Sequence, residues 1–170
     1  MKDYINNPEI KELNLPDNVV ISTMSTTCKL GVNINLENID KYMELSEEDI
    51  ITVKYLGKIR SLDKDVIKKG KKKSKKKKTK NFFNQLTTEI RPSKNKKINV
   101  KIFKNGSLQM TGCKSVTDCN SVLNHLIERL KMVVARIENN SIKEYPFLED
   151  INDIKDINVK HFKIDMINSN

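Results

Sequence analysis

The chain contains no apolar run near the roughly 18 residues that a membrane-spanning helix requires. Its opening stretch, MKDYINNPEI, has no hydrophobic h-region, so neither membrane insertion nor secretion is expected. Cysteine is sparse: Cys28, Cys113 and Cys119 are odd in number and scattered. That argues against a disulfide framework and for reduced thiols in a cytosolic or nuclear setting. The spacing of Cys113 and Cys119 does not suit zinc, and the two histidines, His125 and His161, have no partners at ligand spacing. A phosphate-binding G-x-x-x-x-G-K-[ST] loop is missing, because Gly70-Lys71 has no glycine five positions earlier. No Ser/His/Asp or paired-carboxylate arrangement is supported by spacing, so a non-enzyme without a cofactor is expected. Arginine is scarce, at positions 60, 91, 129 and 136 only, while lysine supplies the other 28 of 32 basic residues. Together with abundant Asn and Ile, this bias points to an AT-rich coding genome and carries no information about fold.

What the chain does have is an uneven charge. The net charge of +10 sits almost wholly in residues 58–80, where thirteen basic residues face only Asp63 and Asp65. The remaining chain is close to neutral. The tract KKGKKKSKKKKTK cannot bury itself and is expected to be a disordered loop inserted into a neutral domain. A phosphate-binding arm and a nuclear-import-like signal are the two functional readings of the same residues.

The hydrophobic pattern defines the remaining elements. Ile98, Val100 and Ile102 alternate with Asn99, Lys101 and Phe103, the period-2 pattern of a strand with two unlike faces. Asn105-Gly106 is a hairpin signal, since both residues tolerate positive φ. Ser107–Thr111 returns as the second strand, Gly112 ends it, and Ser115 can cap the helix that follows. Strands are also expected at 19–26, 49–56 and 82–91, the last stopped by Pro92, and a short helix at 36–43 capped by Asn35. Apolar positions from Val116 to Ile137 recur at helical spacing and predict one long amphipathic helix over 116–138. The fold class is α+β, an antiparallel sheet with helices on one face and the other face open. An open face that pairs Phe103 with Lys101 suits nucleic acid.

These residues resemble the TATA-box-binding protein family, in wording closest to the divergent versions of large DNA viruses. Ile102, Phe103, Gly106, Leu108, Thr111, Gly112, Lys114 and Ser115 match the family's hairpin-to-helix motif. Thr23, Cys28 and Leu30 match its first strand, and Phe83, Ile90 and Arg91 its second. The resemblance covers about residues 18–137, one repeat. It implies a half-saddle whose sheet underside sits on the DNA minor groove, where two Phe residues per repeat wedge a base step apart in that family. Carried over, Phe83 and Phe103 are the wedges, and Ile21, Thr23, Thr111 and Gln109 line the groove face. Arg91 and Lys104 are the backbone clamps. Phe82 adjoins Phe83, and adjacent strand residues face opposite sides, so one of the two is expected in the core. Four departures stand out: Val19 replaces the family's central Asn, Glu89 replaces a basic residue, and Lys101 and Gln109 replace apolar ones.

The expected organisation is a flexible arm (1–16), a repeat (17–138), an acidic linker (139–158) and the start of a second repeat (159–170). On this reading the chain is the N-terminal half of a two-repeat protein; a single-repeat protein whose tail adds an edge strand is the alternative. The function implied is a transcription initiation factor acting on AT-rich double-stranded DNA. RNA polymerase or other initiation factors would be its partners, and the second repeat would come from the same chain or a homodimer. The nucleus, a viral factory or the virion would be its location. Two competitors share the fold: a nucleic-acid-grasping module of a nuclease or glycosylase, and a protein scaffold that has lost DNA binding.

Overall fold

The computed structural model describes residues 1–6, 16–74 and 82–169, with backbone only for 70–74. In chain order the elements are β1 (Ile21–Lys29), α1 (Leu36–Tyr42), β2 (Ile50–Tyr55), β3 (Lys58–Ser61) and α2 (Lys64–Ser74). There follow β4 (Gln85–Ser93), β5 (Lys96–Phe103), β6 (Ser107–Cys113), α3 (Val116–Leu130), β7 (Val133–Glu138), β8 (Ser141–Pro146), a 3-10 turn (Ile151–Asp156) and β9 (Lys160–Ser169). Seven strands form one antiparallel sheet in the order β3-β2-β4-β5-β6-β1-β9, and β7-β8 form a separate ribbon.

Alternation decides which face is covered. Leu86 and Ile90 on β4, Ile98, Val100 and Ile102 on β5, and Leu108 and Met110 on β6 are all buried. They point to the side where α3 lies, which contributes Cys119, Val122, Leu123, Leu126, Ile127 and Leu130. Ser115 caps α3 as expected, its Oγ accepting from the Asp118 amide at 3.1 Å. Asn35 caps α1 in the same way, accepting from Asn38 at 3.0 Å. The far end of α1 is closed by Arg60 of β3, which donates to the Met43 and Ile39 carbonyls at 2.9 Å each. The three cysteines are buried free thiols, and burial pushes Cys28 up to about 12.

The β5-β6 turn has three residues. Gly106 N–H donates to the Phe103 carbonyl at 2.9 Å and only Gly106 has positive φ, +86°. Asn105 instead accepts from the Ser107 amide through its side chain at 3.0 Å. This is the geometry of a type I turn closed by a left-handed glycine, in place of the two-residue turn that Asn-Gly suggests. Gly112 does not end β6. It sits at the register shift where Met24 pairs with Cys113 but Ser25 pairs with Thr111, a bulge within the strand.

The structure corrects several expectations. The helix stops at Leu130, and Val133–Glu138 is a strand. Asn139 and Asn140 hold φ of 50° and 63°, the hairpin turn that sends the chain back as β8. The β-branched residues Val133, Val134 and Ile137 fit the 3.6 period by coincidence but favour a strand. Part of the segment expected as a linker is therefore β8 and the 3-10 turn, and it buries Phe147, Leu148 and Ile157. Within the lysine tract, residues 58–61 pair with β2 through a turn at Leu56-Gly57, and 64–74 are helical, with Asp63 accepting from the Asp65 amide at 3.0 Å. Residues 75–81 of the disordered-loop expectation lie outside the described residues. The start of the expected arm is docked: Ile5 is buried, and Asn120 and Asn124 of α3 bond the backbone of Lys2 and Tyr4. Residues 7–15 lie outside the described residues.

Two tests follow from these contacts. A Cβ on Gly106 would meet the Val32 carbonyl oxygen at 2.2 Å, whereas one on Gly31 meets nothing nearer than 4.0 Å. Both glycines have positive φ. Gly31→Ala should cost about 1–2 kcal/mol for the left-handed backbone, and Gly106→Ala distinctly more, measured by urea unfolding. At the start of α3, burial works against the Asp118 carboxylate, but Lys96 and the Lys114 and Ser115 amides outweigh it and lower its pKa. A group depressed in the folded state contributes stability above its unfolded pKa and loses it as pH falls through the folded one. Stability should therefore drop on acidification below the ordinary carboxylate range, and less steeply in Asp118→Asn.

Candidate nucleic-acid interface

The second face of the sheet lies away from α1 and α3, and its side chains are mostly polar. Cross-strand register builds two rows over it. One row runs Thr52, Glu89, Asn99, Thr111, Ser25, Met166, and the other runs Lys54, Thr87, Lys101, Gln109, Thr27, Lys163. On β1 the partly buried Ser25 and Thr27 alternate with buried Met24, Thr26 and Cys28, which commits them to the open side.

At one end of this face the two expected wedges lie on neighbouring stretches of chain. Gln85 pairs with Phe103, and the Lys104 amide donates to the Asn84 carbonyl at 3.0 Å. This places Phe83 beside the β5-β6 turn, its own carbonyl accepting from the Tyr55 hydroxyl at 2.9 Å. Phe83 is 69% exposed and Phe103 partly buried. The expectation that Phe82 or Phe83 enters the core fails: Phe82 is 59% exposed too, because both residues precede β4 in a turn where strand alternation does not apply. Phe103 stands between two hollows of about 560 and 410 Å³, the first bordered by Lys29, Gln109 and His161, the second by Asn84, Lys104 and Asn105.

The other expected residues divide. Thr111 and Gln109 lie within the open rows, Thr23 is partly buried and pairs with Asn168 of β9, and Lys104 is exposed in the turn. Ile21 leaves the set: it packs against the core, and a register shift between Ile21 and Thr23 breaks the alternation. Arg91 is engaged with Glu47 at 3.1 Å, which occupies part of the guanidinium. Glu89 accepts from Thr52 at 3.3 Å and lies 4.0 Å from Lys54, so its charge is partly compensated. Sequence reasoning missed Ser25, Thr27, Asn99, Lys163 and Met166. The alternation of Ser and Thr with apolar residues in β1 was the available signal; the placement of β9 beside β1 had none.

Among the described residues no cluster of His, Cys, Asp or Glu could hold a metal ion, and no helix is long and apolar enough to cross a membrane.

Exposed aromatics add nothing to folding. Phe83→Ala should change stability by under about 0.5 kcal/mol, whereas Phe147→Ala, removing a ring that is 3% exposed, should cost about 3–5 kcal/mol. Chemical denaturation of both variants checks the contrast.

Comparison with known proteins agrees with the fold. A family model described as transcription factor TFIID, or TATA-binding protein, matches residues 65–133. A TATA-box-binding protein-like protein of Acanthamoeba polyphaga mimivirus is 40% identical over 171 residues, covering 99% of this chain. The chain spans 44% of that relative's length. No solved structure matches. Motif, sheet and comparisons converge on one likeness: the chain is similar to the TATA-box-binding protein family, and to a divergent version of it from a large DNA virus.

Proposed function

We propose that the chain is the DNA-docking half of a transcription initiation factor, seating its open sheet face on the minor groove of AT-rich double-stranded DNA. The observation that carries this reading is exposed Phe83 next to Asn84, which bonds Lys104 beside Phe103, at one end of a polar sheet face. Ordinary solubility gives no reason to leave such a ring in water, while insertion into an opened base step buries it. Binding and bending, with no reaction catalysed, are the whole of its activity. The covered side, with α1, α3 and the β7-β8 ribbon, is left to recruit RNA polymerase or other initiation factors in the nucleus, a viral factory or the virion.

β9 fits both organisations, a single repeat whose tail adds an edge strand and the start of a second repeat. It extends the sheet beyond β1 in antiparallel register, where a second repeat, from the same longer chain or a second copy, would continue the saddle. Glu89 and Val19 favour a second reading, a saddle kept as a protein scaffold, because neither offers a donor to DNA.

A fluorescence-based bending titration on an AT-rich duplex separates the two. The wild type should bend the duplex, and Phe83→Ala/Phe103→Ala should abolish bending. Binding without bending, equal in both proteins, would overturn wedging and leave the lysine tract as the DNA contact.

A further inference from the structure

The open face is electrostatically uneven. Over β2 and β4 the carboxylate of Glu89 sits on it, compensated by Lys54 and Thr52. Over β6, β1 and β9 the lysines Lys29 and Lys163 bring positive charge, with Asp165 beside Lys163. The hollow of about 560 Å³ beside Phe103 is bordered by Lys29, Lys163 and His161, with Thr27, Ser107 and Gln109 and the apolar Cys28 and Leu108 completing its lining. No carboxylate is among its lining residues. Lys29 is exposed and forms no ion pair with any described residue, and Lys163, 3.3 Å from Asp165, keeps 72% of its side chain exposed. Register explains why they converge: Thr27 pairs with Gln109 on one side and Lys163 on the other, and Lys29 pairs with Ser107. His161, at the start of β9, takes φ of 54°.

Resting on the DNA-docking reading, we propose that this hollow seats a backbone phosphodiester of the duplex whose step Phe103 opens. Two compact ammonium charges flanked by neutral donors suit a phosphate oxygen, whereas base edges in the minor groove offer mainly acceptors and call for planar or amide donors. The site is assembled across three strands, and β9 supplies its second lysine. The strand that joins the saddle's halves is thus part of the DNA contact.

The test is the salt dependence of binding of an AT-rich duplex to the full chain. The Lys29→Gln/Lys163→Gln protein is compared with wild type and with Lys155→Gln in the 3-10 turn. Each lost phosphate contact should flatten the slope of log K against log salt by about 0.9. The double variant should therefore lose about 0.9 of slope, while the duplex is still bent at saturation and Lys155→Gln matches wild type. Circular dichroism confirms that both variants are folded; both lysine side chains are solvent-accessible, so folding should be unaffected. A slope unchanged in the double variant, with bending intact, overturns the phosphate seat and leaves the docking reading standing. Failure of the wild type to bind the duplex overturns both.

Discussion

Covering one side of the sheet with α3 is the interaction on which the rest of the molecule depends. Strand alternation forces β1, β4, β5 and β6 to present two chemically different faces. On the inner side the apolar residues of α3 meet Leu86, Ile90, Val100, Ile102, Leu108 and Met110, all of them fully or almost fully buried. Each such side chain contributes about 1.5–3 kcal/mol when removed from water. One helix face is thereby enough to hold the strands in register, and the second sheet face is released from any packing duty. Its Ser, Thr, Asn and Gln residues can then be chosen for what lies outside. The open surface follows directly from the way the core is built.

The same constraint explains why the central hairpin tolerates little change. Its turn is pressed against the loop after β1: the Leu30 amide donates to the Gly106 carbonyl at 2.9 Å and the Ile34 amide to the Lys104 carbonyl at 2.8 Å. The turn that orders β5 and β6 also positions Phe103, Lys104 and the chain around Asn84. Fold and candidate interface therefore share one local structure.

Much of this was legible in the residues. Alternation in 98–103, the Ser115 cap and the Asn35 cap were readable because each is a local signal with one physical meaning. The wedge pair was named through a motif; Phe83 is exposed and Phe103 partly buried. What was not legible depended on tertiary context. Val133, Val134 and Ile137 continue a helical period, and only the left-handed Asn139-Asn140 pair turns them into a ribbon. Composition hid α2 and β3 inside a lysine tract, since charge opposes burial but not hydrogen bonding. The pairing of β9 with β1 joins residues some 140 apart in the chain, which no local pattern encodes. Ile21 and Arg91 kept their sequence match but were drawn off, one to the core and the other to Glu47.

The claim that the open sheet face, and not the lysine tract, meets DNA is tested most directly by oxidative footprinting of two methionines. Met166 is 52% exposed on β9 opposite Ser25 of the open face, and Met132 is 49% exposed just past the last turn of α3. With similar exposure in the free protein, they should oxidise at similar rates. On adding an AT-rich duplex, the account predicts strong protection of Met166 and none of Met132. Equal oxidation of both in the bound state would contradict it.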